Sequence, residues 1–287
     1  GEKEAQSRLE DFIQNKASEY HTNRDRMDID GTSSLSPYIH MGTISVCRIL
    51  LSLEKMKSDI SENGDLLGIE TWKNELVWRE FYQSILYHFP FVQKISFNPK
   101  FRSIEWSNSP EALIAWKDRS TGFPIVDAAM NQLLKSAWMH NRARMIVASF
   151  LTKDLLINWQ EGEKWFMDQL IDGDLASNNG GWQWTAGVGT DAAPFFRIFN
   201  PILQSKKFDP QGDYIRKWVP ALTDIPTEYI HEPWLMPDLI QSKYGCKIGK
   251  DYPFPIIDRK NSRERTLRAY NLSKNYFLSK KDLRRKV

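Results

Sequence analysis

Wherever apolar residues recur regularly in this chain they recur three or four residues apart, the repeat of one helix face, and nowhere do they alternate as a half-buried strand requires. That property confines the chain to an all-α fold. Leu9, Phe12 and Ile13 predict a helix from Lys3 to Asn15, and Ile44, Ile49, Leu50 and Leu53 another from Thr43 to Met56. Thr71 to Phe89 reads as a longer helix with Val77, Phe81, Ile85 and Phe89 as its core face. Ile125, Ala129, Leu133 and Ala137 predict a helix from Ile125 to Met139, and Asn141, Arg144, Met145 and Ala148 share a face of the next. Leu151 to Trp159 continues as helix, Gly162 interrupts it, and Arg263 to Asn275 is the last helix before a basic end that frays. The prolines between 200 and 260 exclude long regular elements there. With no repeat or low-complexity linker, residues 1–287 are expected to form a single helical domain.

The stretch from Asp172 to Trp184 holds two carboxylates, adjacent asparagines, three glycines and two indoles. It reads as a loop built for close approach of a flat ligand, its glycines admitting backbone conformations closed to other residues. Its carboxylates and amides suit a ring bearing both donors and acceptors. The plainer alternative is a glycine-rich turn with the indoles as core anchors. Trp182 and Trp184 would point to different sides, one inward and one toward a second ligand.

Two other stretches carry a double reading. Glu75, Trp78, Arg79 and Tyr82 form one helix stripe, either an exposed ion pair with neighbours or a polar-aromatic binding face. Gly31 to Pro37 is rich in small hydroxyls, either an N-cap and turn or a phosphate cradle at the start of the helix that Pro37 opens.

Composition narrows the partners. Eleven tryptophans are several times the usual complement, and large π faces serve packing, stacking on bases or electron transfer. The net charge of +3 is uneven: Arg259 to Val287 carries 11 Lys or Arg against Glu264 and Asp282, so this end is +9 and the rest −6. A basic tail on an acidic body is either a solvated helix or a nucleic-acid footprint. Cys47 and Cys246 have no metal-ligand spacing and fit a reducing, cytoplasmic compartment, so no metal is expected. No apolar run reaches about 18 residues and no charged-then-apolar leader is seen, so no membrane partner is expected.

The strings GTSSLSPY, NELVWREFY, TGFPIVDAAM, WMHNRARM, LLINWQEGEKWFMDQLIDGDLASNNGGWQW and GTDAAPFFRIFNP cover most of the chain in one family's order. The chain resembles the FAD-binding helical domain of the photolyase and cryptochrome family, most nearly a class I cyclobutane pyrimidine dimer photolyase. The resemblance implies FAD, active as FADH⁻, and an N-terminal α/β antenna domain that would normally be linked to this one. No antenna chromophore is expected in this chain, and a monomer is expected. Tyr20, Arg24, Thr32, Ser33, Ser34, Leu35 and Ser36 match the part that holds the FAD pyrophosphate and neighbouring groups. Arg144 and Asp172 look like the ion pair over the flavin, Asp174 faces the polar ring edge, and Asn178 matches the residue opposite flavin N5.

The same resemblance implies that Trp182, Trp159 and Trp106 pass an electron inward to reduce the flavin. Glu75, Trp78, Asn141, Arg142, Met145 and Trp184 match a pocket for a flipped pyrimidine dimer, and Arg197 and Gln204 match positions near the DNA strand. Asn141 and Met145 stand where relatives that repair (6-4) photoproducts have histidines, which favours the cyclobutane dimer. The expected partner is DNA containing pyrimidine dimers and the expected reaction is their light-driven cleavage. The alternative is a cryptochrome-type flavin photoreceptor that repairs nothing.

Overall fold

The computed structural model describes residues 1–59 and 66–285. Fifteen α-helices carry these residues, and no strand occurs among them. They run α1 Glu2–Asn15, α2 Tyr20–Asn23, α3 Ser36–His40, α4 Val46–Asp59 and α5 Leu67–His88. Next come α6 Pro110–Lys117, α7 Pro124–Ser136, α8 Asn141–Ser149, α9 Trp159–Gln169 and α10 Leu175–Ala186. The proline-rich part supplies only the short α11 Pro201–Phe208, α12 Asp213–Trp218, α13 Thr227–Ile230 and α14 Asp238–Lys243 before α15 Arg259–Arg285.

Two apolar clusters divide the interior. The smaller joins Leu9 and Phe12 of α1, Ile49 and Leu53 of α4, and Ile69, Trp72 and Leu76 of α5. The larger gathers α7 to α10 with the later short helices, around Trp116, Phe123, Phe150, Trp159, Trp182 and Tyr270. The face of α5 differs from the expected one, since Val77 is 56% and Phe89 39% exposed. Four residues turn a helix by about 400°, so a string of four-residue steps drifts around it, whereas Ile69, Trp72 and Leu76 stay on one side.

Local chemistry sets the helix ends around the larger cluster. The buried Asp127 carboxylate accepts from Thr121 N (2.9 Å), Thr121 Oγ1 (2.7 Å), Gly122 N (3.1 Å) and Tyr252 Oη (2.6 Å). Burial pushes its pKa up to about 6 against those bonds. Helix α7 stops at Ser136 rather than Met139 because Ala137 turns left-handed, with φ 53°. His140 then caps α8, its Nδ1 accepting from Arg142 N at 3.1 Å.

The chain does not continue as α-helix from Leu151 to Trp159. A π-helical turn, Phe150–Asp154, is followed by Leu156 at φ 56°, and α9 begins at Trp159. The π turn buries both Lys153 and Asp154. Side chains of α15 clasp its carbonyls: Thr266 Oγ1 donates to Lys153 O, Ser262 Oγ to Asp154 O, and Arg265 Nη2 to Asp154 O at 2.8 Å. Lys153 Nζ donates to Ala186 O (2.7 Å) and Phe195 O (3.2 Å) and stands 3.9 Å from the Tyr270 ring centre. Helix α15 exceeds the expected Arg263 to Asn275 at both ends, running from Arg259 to Arg285.

Gly162 lies inside α9 rather than interrupting it, because a Cβ there would sit 2.1 Å from Trp182 Cη2. The stretch expected as a loop is mostly helix, since α10 occupies Leu175–Ala186. Asp174 caps it, Oδ1 accepting from Ser177 N at 2.8 Å, and Gly187 ends it at φ 74°. Gly180 serves packing: a Cβ there would meet Tyr82 Cδ1 of α5 at 2.0 Å.

Candidate functional site

Two confluent cavities lie at the seam between the apolar clusters. The first, of about 400 Å³, is lined by α5 on one side and by α8, α10 and the turn before α10 on the other. Glu75, Trp78, Arg79 and Tyr82 contribute one wall, and Glu75 pairs with Arg24 and not with Arg79. Asn141, Arg144, Met145 and Ala148 contribute a second wall, as their shared helix face requires. Asp172, Asp174, Asn178, Trp182 and Trp184 complete it. Trp182 and Trp184, about 200° apart on α10, do face different sides. Trp182 is buried against Phe166 (5.0 Å between ring centres) and Trp116 (6.2 Å), while Trp184 is half-buried.

The second cavity, of about 300 Å³, shares Arg24, Glu75, Arg79, Asn141, Arg144, Asp172, Asp174 and Ser177 with the first. Its own lining includes Tyr20, the hydroxyl stretch Thr32 to Ser36, and Trp138. Ser34 adopts φ 50°, uncommon for a residue with a side chain. Trp138 Nε1 donates to Ser36 Oγ at 3.1 Å, tying this loop to the chain after α7.

Electrostatics is organised around three ion pairs. Arg144 Nη2 meets both oxygens of Asp172, at 3.0 and 2.8 Å, and its Nε donates to Met139 O at 2.8 Å. Arg24 Nη1 stands 2.6 Å from Glu75 Oε1. Burial raises the pKa of Glu75, the neighbouring Asp25 adds to this, and Arg24 opposes it. Arg142 grips Asp25 through Nε (3.2 Å) and Nη2 (2.7 Å) and lies over the Phe208 ring at 4.3 Å.

Not every expected residue faces the cavities. Arg142 points away from both, into its pair with Asp25. Arg197 is exposed and Gln204 half-buried, outside either lining. Trp159 is buried in the larger core, and Trp106 is half-buried, 6.1 Å from Tyr270 between ring centres. The carboxylate of Asp174 is already engaged, one oxygen capping α10 and the other accepting from Gln83 Nε2 at 3.0 Å. Asn178 Nδ2 donates to Glu163 O at 2.9 Å, which leaves Oδ1 as the open acceptor of the amide.

Arg79 and Tyr82 line the first cavity as members of the expected α5 stripe. Trp138, Ser177 and Phe166 line the cavities beyond the expected residues; Trp138 opens the string WMHNRARM, and the other two carry no sequence signal of their own.

An all-helical domain with a hydroxyl-rich cavity opening into an indole-walled one has the architecture of a photolyase-type FAD-binding module. The chain belongs to that family: residues 72–272 match the FAD binding domain of DNA photolyase. It is 48% identical to the deoxyribodipyrimidine photo-lyase of Alkalihalophilus pseudofirmus, over 93% of this chain and 54% of that one. It is also 48% identical to the Escherichia coli deoxyribodipyrimidine photo-lyase, over 95% of this chain and 56% of the relative. The crystal structure of a bacterial class III photolyase from Agrobacterium tumefaciens superimposes with a TM-score of 0.90 at 45% identity, covering 96% of this chain and 56% of that one. A Synechocystis sp. PCC6803 cryptochrome does so with 0.86 at 34% identity, covering 94% and 56%. The chain thus spans about half the length of the curated relatives it matches. No helix among the described residues is long and apolar enough to cross a membrane.

Proposed function

We propose that this domain carries the active site of a deoxyribodipyrimidine photo-lyase, which binds FAD and splits cyclobutane pyrimidine dimers in DNA under light. The observation that carries the proposal is the meeting of the two cavities at the Arg144–Asp172 pair. FAD fits this lining by chemistry: hydroxyls and Arg24 suit a pyrophosphate, and the buried ion pair with the Asn178 amide suits a flat ring bearing donors and acceptors. FAD held there in its reduced form supplies what no side chain can, absorption of light and the loan of one electron to a ring beside it.

The side chains do the rest. Trp78, 41% exposed, and Trp184 offer apolar faces to a flipped pyrimidine pair. Such a pair stacks poorly, so its extrusion from the duplex costs less than that of normal bases. Asn141 and Glu75 can hydrogen-bond the pyrimidine edges, and Met145 lines the same cavity, its sulfur 3.9 Å from Asn141 Nδ2. Arg197 and Gln204, which line neither cavity, are proposed to serve the DNA strand, Arg197 through its exposed side chain. Lys and Arg contacts to phosphate make binding fall steeply with salt. Trp182, Trp159 and Trp106 are proposed to pass an electron inward from the surface when the cofactor must be reduced.

The test is direct. The purified, reduced protein is illuminated with a dimer-containing oligonucleotide, and recovery of thymine absorbance is followed. Recovery that requires light and flavin is the expected result. Bound flavin without recovery would favour the photoreceptor reading, to which the cryptochrome neighbour lends weight.

A further inference from the structure

Glu75 can steady a substrate carbonyl only if it carries a proton, because an ionised carboxylate accepts hydrogen bonds and cannot donate them. Yet the structure holds it against Arg24 at 2.6 Å, an arrangement made for the ionised form. Both side chains are about 30% exposed, so the pair is reachable and can be rearranged. Arg24 is also in a position to choose, because it lines both cavities, with Glu75 in front of it and the Thr32 to Ser36 hydroxyls behind.

We propose that Arg24 is an exchangeable counter-ion: a phosphate group entering the site draws it off Glu75, and Glu75 then takes one proton from solvent and becomes a hydrogen-bond donor to the substrate. This rests on the repair reading above. The charge balance closes without a further reactant. Before exchange, Arg24 neutralises the carboxylate; afterwards it neutralises the phosphate, and the proton neutralises Glu75.

The surroundings favour the neutral acid once Arg24 has gone. Desolvation already works against the carboxylate, and Asp25 adds a negative field, being held in place by Arg142. Among the described residues, the other arginines that line the cavities already have carboxylate partners. Arg79 is engaged by Glu80 at 2.8 Å, and Arg144 by Asp172. Tyr20, whose ring lies 5.8 Å from the Arg24 guanidinium carbon, has its own pKa raised chiefly by burial and stays neutral. The phosphate has two sources of one chemistry, the cofactor's pyrophosphate in the second cavity or the DNA backbone across the mouth.

Infrared difference spectroscopy on the flavin-loaded protein reads the protonated carboxyl as a C=O stretch, assigned by its loss in Glu75→Gln. A band that appears only when the dimer-containing duplex is added, and not with undamaged duplex, supports the exchange with the DNA backbone as the source. A band already present without DNA supports it with the cofactor as the source. A Glu75 that stays ionised in both states overturns it. In Arg24→Met, read without DNA, the band should persist to a pH higher by about 1 unit or more than in the parent. An unchanged midpoint would show that Arg24 does not control the proton. Should the duplexes bind equally well, damaged or not, the repair reading fails, while the Arg24→Met titration still decides the coupling.

Discussion

Replacing Gly162 by alanine tests the claim that glycine is present inside α9 to admit an indole. The added Cβ would lie 2.1 Å from Trp182 Cη2, where a relaxed carbon contact is about 3.5–4.0 Å, so the ring must retreat by roughly 1.5 Å. It is packed against Phe166 and Trp116, so it can retreat only toward the cavity that it lines. Overpacking of this kind costs about 1–3 kcal/mol. Alanine also gains about 1 kcal/mol over glycine in a helix interior, which blurs the single variant. Gly181 of α10 removes the ambiguity, because a Cβ there meets nothing within 4 Å. The propensity gain cancels between the two variants, leaving Gly162→Ala less stable than Gly181→Ala by about 1–3 kcal/mol. Urea unfolding with unchanged slopes and separated midpoints is the expected record. Equal stabilisation by both substitutions would refute the close approach of Gly162 to Trp182.

Three further outcomes are expected. Glu75→Ala should slow repair far more than it weakens binding of dimer-containing DNA, and equal losses in both would remove it from the reaction. Trp106→Phe should abolish photoreduction of bound flavin while repair by chemically reduced protein survives; transient absorption after a flash checks the first and thymine recovery the second. His140 gives a pH signature. Burial pushes its pKa down to about 4 from a usual value near 6.5, so between those limits the unfolded chain binds more protons than the folded one. Stability should therefore rise with pH across that window and be lost on acidification, by up to about 3 kcal/mol, as protonation also takes the Nδ1 acceptor from Arg142 N. Subtracting the pH profile of His140→Gln from that of the parent isolates the effect from the oppositely signed buried carboxylates Asp127 and Asp154.

What the sequence disclosed and what it hid follow one physical line. Helix existence is a local property, and the three-to-four repeat revealed it, as did the stripe of Glu75, Trp78, Arg79 and Tyr82 and the shared face of Asn141 and Met145. A glycine's reason is non-local: Gly162 and Gly180 look like punctuation until the rings of Trp182 and Tyr82 are placed beside them. Buried charge is hidden too, since Lys153 and Asp154 would be assigned to solvent by composition, and only the π turn clasped by α15 carries them inward. Ion-pair partners are the least legible. Nothing in the spacing says that Arg24 meets Glu75 or that Arg142 turns to Asp25 instead of the cavity.

The placing of polar contacts explains how a cavity survives between two apolar clusters. Packing apolar side chains across the seam would hold the clusters together but fill the space, because burial is rewarded by contact and has no preferred direction. Directional bonds fix distance without occupying volume. Trp138 reaches Ser36, Gln83 reaches Asp174 and Arg142 reaches Asp25 in bidentate fashion, each linking the α5 side to the α8–α10 side. Tyr82 also packs on Gly180, where a glycine lets α5 and α10 approach closely. The walls that carry Trp78 and Trp184 are thereby held apart by backbone geometry and tied by few bonds, so a ligand entering between them meets a preformed slot.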